Sequence, residues 1–373
     1  MRLLPLFAIL FAYCSSPTTP PPPAQDHSLL VFVGTYTQKL GHVNGKATGI
    51  YTAKLDTVTG HFSVIDSVTD ISNPSFVTLS PDKKLLFAVG ENGGKPEQPY
   101  GQVAAYRVGN GGKLTKINEV PSYGVAPCHV STDRAGKYVF VANYGTGNVV
   151  SYAIQPNGGL SDSLSMHRHP GKEPWAHQTY PSPDNSILYA VDKGADGVFT
   201  YAIGPEGKLT PITKIPTQKG AGPRHLDFNP KNPREFAVIG ENNSTVILYR
   251  LDEQGKAMAL DSVSTLPGDF KGQNTCADIH YHPNGNFIYG SNRGHNSIVV
   301  LQNNLDGRLL VKGHVPSGGE IPRNFMITPD GKWMLTANQN SSTVQVYTID
   351  AATGMPVAKG KPVYVPTPVC LKF

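Results

Sequence analysis

The sequence predicts an all-β fold, a seven-bladed β-propeller of four-stranded antiparallel blades. Three observations carry this. A segment opening with a Pro-containing strand recurs at intervals of about 46 to 54 residues, the length of one propeller blade. No window sustains a helical period. The 39 Gly and 32 Pro of the 373 residues are spread along the chain rather than gathered in one tract, which suits many short strands joined by tight turns.

The openings align as Asn73-Pro74-Ser75-Phe76, Ala126-Pro127-Cys128-His129, Glu173-Pro174-Trp175-Ala176-His177 and Gly222-Pro223-Arg224-His225. Thr275-Cys276-Ala277-Asp278-Ile279-His280 follows without its proline, then Ile321-Pro322-Arg323-Asn324-Phe325 and Thr367-Pro368-Val369-Cys370. Proline is tolerated at the first residue of a strand because that amide need not join the ladder. Second strands are expected at Leu85–Val89, Tyr138–Ala142, Ile187–Val191, Phe236–Ile239, Phe287–Tyr289 and Trp333–Ala337, preceded by turns such as Ser80-Pro81-Asp82 and Pro329-Asp330-Gly331. Third strands such as Val149–Ile154, Thr245–Tyr249 and Thr343–Ile349 are rich in β-branched and aromatic residues.

The two ends are complementary. Pro368 to Phe373 offers one strand, and residues 29–68 offer three, Leu29–Val33, Gly49–Leu55 and Phe62–Val68, without an opening of their own. Pairing them completes a seventh blade and covers two otherwise exposed edges. The propeller is therefore assigned to residues 28–373.

Residues 1–14 are read as an export signal. Arg2 supplies a charge and Leu3 to Ala12 an apolar run of about ten residues, too short to span a bilayer. Cys14 then precedes a Pro/Ser/Thr-rich tether over residues 15–27. An apolar run ending at a lone Cys resembles a bacterial lipoprotein signal, with Cys14 as the lipid attachment site; an ordinary secretory signal is the alternative. Either way the expectation is an exported protein of the periplasm or cell envelope. Cys128, Cys276 and Cys370 fall on inner strands of non-adjacent blades, too far apart to bridge, and are expected as buried free thiols. The formal charge of +5, with no dense Lys/Arg run, does not imply a nucleic-acid partner. A monomer is expected.

In a propeller the start of the first strand and the end of the second meet at one face. Strand ends at Thr35, Glu91, Asn143, Asp192, Glu241, Asn292-Arg293 and Asn338 are thus expected to converge with His129, His177, Arg224-His225, Asp278, His280 and Arg323 at one axial mouth. Asn143, Asp192 and Asn338 serve equally well as turn formers, and His129 could satisfy inner-strand backbone groups. A buried Arg224 requires an anionic partner, either a ligand or Glu241 one strand away. His167 and His169 are placed in a solvated surface connection. His280 and His282 share a strand face without a third ligand, and no spaced Cys/His set occurs among the 12 histidines, so no metal or cofactor is expected. Neither a nucleophile elbow nor a phosphate-cradling loop is present.

Gly222-Pro223-Arg224-His225-Leu226-Asp227-Phe228-Asn229-Pro230, Glu241-Asn242, Ala277-Asp278-Ile279-His280, Arg293 and Pro322-Arg323-Asn324-Phe325 resemble the propeller-type 6-phosphogluconolactonases, a superfamily that also contains a fungal carboxymuconate-lactonizing enzyme. The resemblance covers roughly residues 29–373. It implies a lactone-handling site with His177, Arg224, Glu241 and Arg293 as catalytic candidates; the channel entries His129, His225, Asp278, His280 and Arg323 are the substrate-binding candidates. The implied reaction is hydrolysis of a sugar lactone to the sugar acid, with His177, then His225, as general base. Lactonization or isomerization of a dicarboxylate, and a non-catalytic envelope propeller that binds a ligand or protein, are the alternatives. A phosphorylated sugar lactone is a cytoplasmic metabolite, so the export signal leaves the phosphate open.

Overall fold

The computed structural model describes residues 27–373. The expected signal, Cys14 and all but the last residue of the tether lie outside them. Seven four-stranded antiparallel sheets are present among the described residues, with a two-stranded hairpin at Lys39–Leu40 and Val43–Asn44. Blade 1 runs from Val77–Leu79 to Leu114–Pro121, blade 2 from Pro127–Thr132 to Leu160–Arg168, and blade 3 from Ala176–Pro181 to Leu209–Pro216. Blade 4 runs from Pro223–Phe228 to Ala257–Ser264, blade 5 from Thr275–Tyr281 to Leu309–Pro316, and blade 6 from Pro322–Ile327 to Pro356–Tyr364.

Blade 7 is composite, as the sequence predicts. Pro368–Lys372 is its inner strand and pairs antiparallel with Ser28–Thr35, which continues through Ile50–Asp56 to Phe62–Val68. Each inner strand touches the next around a complete ring, and Pro368–Lys372 contacts both its neighbours, Pro322–Ile327 and Val77–Leu79. Closure leaves no partial blade exposed; each blade turns its innermost strand to the channel and its outermost strand to the periphery.

The core lies between blades. Second and third strands carry β-branched and aromatic residues on both faces, so each sheet buries side chains against two neighbours. One cluster joins Phe87, Val89 and Tyr106 of blade 1 to Val130, Val141 and Tyr152 of blade 2. Another joins Val33 and Leu55 of blade 7 to Trp333, Leu335 and Val346 of blade 6, with Leu371 among them. Cys128, Cys276 and Cys370 are free and buried. Among the described residues no helix is long and apolar enough to cross a membrane.

Two expectations change. His169 is not solvated: it is fully buried, and its Nδ1 lies 2.6 Å from Asp192 Oδ2. His167 belongs to the outer strand of blade 2, where Nε2 bonds the Leu209 carbonyl of blade 3 at 2.8 Å. Both follow from the outer strand of blade 2, which runs through His167 to Arg168.

Leu371 is fully buried in the composite blade. Leu371→Ala should lower the unfolding free energy by about 2–5 kcal/mol, as for other large-to-small core changes, measured by urea denaturation. An unchanged stability would mean that this strand does not close the ring.

Candidate functional site

The site follows from a backbone device repeated in the blade openings. In five of them the residue before the proline has left-handed backbone: Asn73 (φ 47°), Ala126 (52°), Gly222 (59°), Ile321 (59°) and Thr367 (40°). For the β-branched Ile321 and Thr367 this geometry is strained, of order 1–3 kcal/mol each. The turn aims a carbonyl at the amide of the residue that follows the second strand. Asn73 O accepts from Glu91 N, Ala126 O from Tyr144 N, Gly222 O from Glu241 N, Ile321 O from Gln339 N, and Thr367 O from Tyr36 N. Trp175 O does the same for Lys193 N in blade 3. These captured residues form one ring around the mouth.

A second ring comes from bulges. Pro127 pairs with Asn143 and His129 with Ala142, so Cys128 is the extra residue. His177, Arg224, Arg323 and Val369 are extra in the same way in blades 3, 4, 6 and 7. A bulge re-aims the side chain it inserts. The residue one step further, His129 or His225, sits lower along the axis, since each strand residue advances about 3.3 Å.

The candidate residues therefore do not share one mouth. His177, Arg224, Glu241, Arg293 and Arg323 line an axial pocket of about 420 Å³ together with His42, Glu91, Cys128 and Tyr144. His129, His225, Asp278 and His280 line a separate cavity of about 210 Å³ deeper in the channel, beside Arg134 and Lys372. The bulges are the reason: Arg224 and His225 are adjacent in sequence but occupy different layers.

Four basic side chains crowd the mouth. Glu241 Oε2 lies 3.0 Å from both Arg224 Nε and Arg293 Nη2, and Oε1 accepts from Lys193 Nζ at 2.7 Å. Arg224 Nη1 and Arg293 Nη2 donate to the carbonyls of Ala277 and Cys276 at 2.6 and 2.9 Å. Among the described residues Arg224 makes no other hydrogen bond. Lys193 also lies over the Trp175 ring, 5.5 Å from its centroid. Across the pocket Arg323 Nη2 donates to Tyr36 Oη at 3.0 Å, and Tyr36 donates to Glu91 Oε2 at 2.8 Å. His42, on the hairpin, reaches the same hydroxyl at 3.4 Å.

Electrostatics set the protonation states. Burial by itself would raise the Glu241 carboxyl, but Arg293, Arg224 and Lys193 override it and hold it at about 2. Burial, with Arg293 and Arg323 nearby, brings Arg224 down to about 10, still cationic at neutral pH. Burial, then Arg224, His225, Arg323 and His129, hold His177 well below the usual imidazole range, so it is neutral. Burial pushes the Cys128 thiol far up, away from thiolate chemistry. Among the described residues no three His, Cys, Asp or Glu side chains form a metal-binding group.

The lower layer is a hydrogen-bonded network. His225 Nδ1 and Asp278 Oδ1 are 2.6 Å apart, Asp278 Oδ2 and His280 Nε2 are 3.0 Å apart, and Asn324 Nδ2 donates to Asp278 Oδ2. His129 Nδ1 accepts the Thr179 amide at 3.5 Å, the backbone-satisfying arrangement that its position also allowed.

Sequence reasoning missed Tyr36, His42, Tyr144 and Lys193. Three of them follow the expected strand-end residue by one position. Asn143 and Asn338 turn back to the carbonyls of Ser122 and Ser317, and Asp192 binds His169, so the next residue faces the mouth. That one-residue phase was the available signal.

The fold and this pocket define a β-propeller with a small-molecule site at one axial opening, rich in positive charge. Comparison with known proteins narrows the class. The chain belongs to the seven-bladed β-propeller lactonase family, whose model, "Lactonase, 7-bladed beta-propeller", matches residues 30–373. It is 32% identical to a Bacillus subtilis (strain 168) protein named 6-phosphogluconolactonase, over 92% of this chain and 97% of that one. A Formosa agariphila protein of the same name is 30% identical, over 87% and 93%. The solved Pseudomonas aeruginosa periplasmic gluconolactonase superposes with a TM-score of 0.86 at 29% identity, covering 92% of this chain and 98% of that one.

Glu241→Gln removes the one carboxylate shared by Arg224, Arg293 and Lys193. The variant should lose about 3–5 kcal/mol of stability at neutral pH. Because the folded carboxyl lies at about 2 against an ordinary 4.5, the wild-type advantage is complete above pH 4.5 and shrinks as pH falls toward 2. Urea denaturation of both proteins across that range measures it; a pH-independent difference would remove Glu241 ionisation as the cause.

Proposed function

We propose that this protein hydrolyses a sugar lactone at the axial mouth. The observation that carries the reading is the convergence of Arg224, Arg293 and neutral His177 around Glu241 in a pocket of ligand size. Family membership supports hydrolysis over the lactonizing and non-catalytic readings, because the relatives above are named for opening lactones.

In this mechanism His177 takes a proton from a water that attacks the ring carbonyl. Arg224 and Arg293 stabilise the oxyanion and then hold the carboxylate product. Glu241 does not move protons; it stays ionised and orients both guanidinium groups. Arg323, fixed by Tyr36, presents a third positive charge from the opposite wall. The mouth holds Arg224, Arg293, Arg323 and Lys193 against Glu241 and Glu91, four cations against two carboxylates, a surplus suited to an anionic transition state and product. It also suits a phosphate on the sugar. His129, His225, Asp278 and His280 then support the mouth from below rather than touch the lactone.

We assign the protein to the cell envelope as a monomer, with Cys14 as its lipid attachment site. The apolar run before Cys14 and the Pro/Ser/Thr tether after it support this, as does the periplasmic location in the name of the Pseudomonas aeruginosa relative.

The test is hydrolysis of gluconolactone and of its 6-phosphate by the purified protein and by Arg224→Ala. Turnover that the substitution lowers by about 10²–10³-fold, in a variant shown to be folded at the assay temperature, is expected. Equal rates in both proteins would take Arg224 out of the mechanism, and a strong preference for the phosphate ester would assign the charge surplus to it.

A further inference from the structure

Between the two axial layers lies a void of about 10 Å³, close to the space one water needs. Among the described residues, three of the side chains around it bring a buried polar atom without a hydrogen-bond partner, Ser75 Oγ, His177 Nδ1 and His225 Nε2, while Arg224 Nε has only the Glu241 carboxylate at 3.0 Å. They come from the openings of blades 1, 3 and 4, and the two imidazole rings lie 5.1 Å apart at 62°. An orphaned buried polar atom is destabilising, and three on side chains that line one void point to a common hydrogen-bonding occupant. Buried waters typically make about three hydrogen bonds.

We propose that one buried water fills this void and joins His177 to the His225–Asp278 pair, so that Asp278 sets the tautomer of His177 and stabilises the positive charge that passes from His177 to His225 in catalysis. This rests on the lactonase reading for the catalytic step, but not for the water or the tautomer.

The chemistry is directional. Asp278 is ionised: burial alone would raise its carboxyl, but His280 and His225 hold it well below its usual range. It therefore accepts from His225 Nδ1–H at 2.6 Å, and neutral His225 is left with a lone pair on Nε2. The water donates to that lone pair and accepts from His177 Nδ1–H, which leaves the His177 Nε2 lone pair for the mouth. That is the atom a general base needs. When Nε2 takes a proton from the attacking water, His177 becomes an imidazolium near Arg224 and Arg323. Its Nδ1 proton can pass to the buried water, which gives one of its own to His225 Nε2. The charge then rests beside Asp278 instead of among guanidiniums, and the reverse transfers return the proton through His177 Nε2 to the alkoxide released as the ring opens. His225 and Asp278 are positioning residues here; only His177 meets the substrate.

A high-resolution crystal structure of the full protein should show a water within hydrogen-bond reach of Ser75 Oγ, His177 Nδ1 and His225 Nε2. Nitrogen-15 histidine spectra should place the proton of both His177 and His225 on Nδ1. Neither measurement needs a variant, and an empty void or a His177 proton on Nε2 overturns the proposal. Asp278→Asn should shift both tautomers and lower kcat by about 10²–10⁴-fold, with KM within about twofold; a His177 tautomer unmoved by the change also overturns it. If the wild-type protein opened no lactone, the hydrolase reading would fail while the density and the spectra still decided the relay.

Discussion

Like charges held out of water are the constraint that organises this molecule's axis. Arg224 and Arg293 would repel each other and lose solvation in the buried mouth, and each finds Glu241 Oε2 at 3.0 Å, with Lys193 on the other oxygen. A single carboxylate thus gathers cations from blades 3, 4 and 5. Such a pair contributes little net stability against a well-packed apolar alternative, yet removing one partner is costly. The arrangement is better understood as a way to hold guanidinium groups rigid and partly unpaired, ready for a ligand, than as a staple of the fold. Stability resides elsewhere, in the apolar surfaces between blades and in the composite seventh blade.

The backbone delivers these side chains by the same means in most blades. The left-handed residue before the opening proline sends its carbonyl to the amide just after the second strand, and the bulge one step later turns a side chain into the axis. Strain at Ile321 and Thr367 is tolerated because the surrounding sheet over-determines those positions. The result is two stacked layers, a cationic mouth above and the Asp278-centred network below, separated by little more than one residue of strand.

The fold was legible in the chain because a repeat of blade length with alternating strands has few structural solutions, and because the complementary ends showed how the ring closes. Arg224, Glu241 and Arg293 were legible as neighbours, since the openings and strand ends must meet at one face. The layering was not. A bulge is a property of hydrogen-bond register, and nothing in Gly-Pro-Arg-His announces that Arg224 rises to the mouth while His225 points to Asp278. The strand-end positions were misread by one residue for a related reason. Asn143 and Asn338 are spent on carbonyls of the blade-to-blade connections, so Tyr144 and Gln339 follow into the ring. His42 sits on a hairpin outside the repeat and carries no periodic signal.

This division of labour explains how relatives about 30% identical keep the architecture over most of their length. The inner-strand bulge residues, Cys128, His177, Arg224, Arg323 and Val369, stand outside the regular ladder, so their side chains can change without disturbing strand register or the apolar contacts between blades. The chemistry of the mouth is written in those positions and in the ring of captured residues from Tyr36 to Gln339. In this chain Arg224, Arg293 and Arg323 bring positive charge to the pocket wall, and a neutral imidazole, His177, lines it with them.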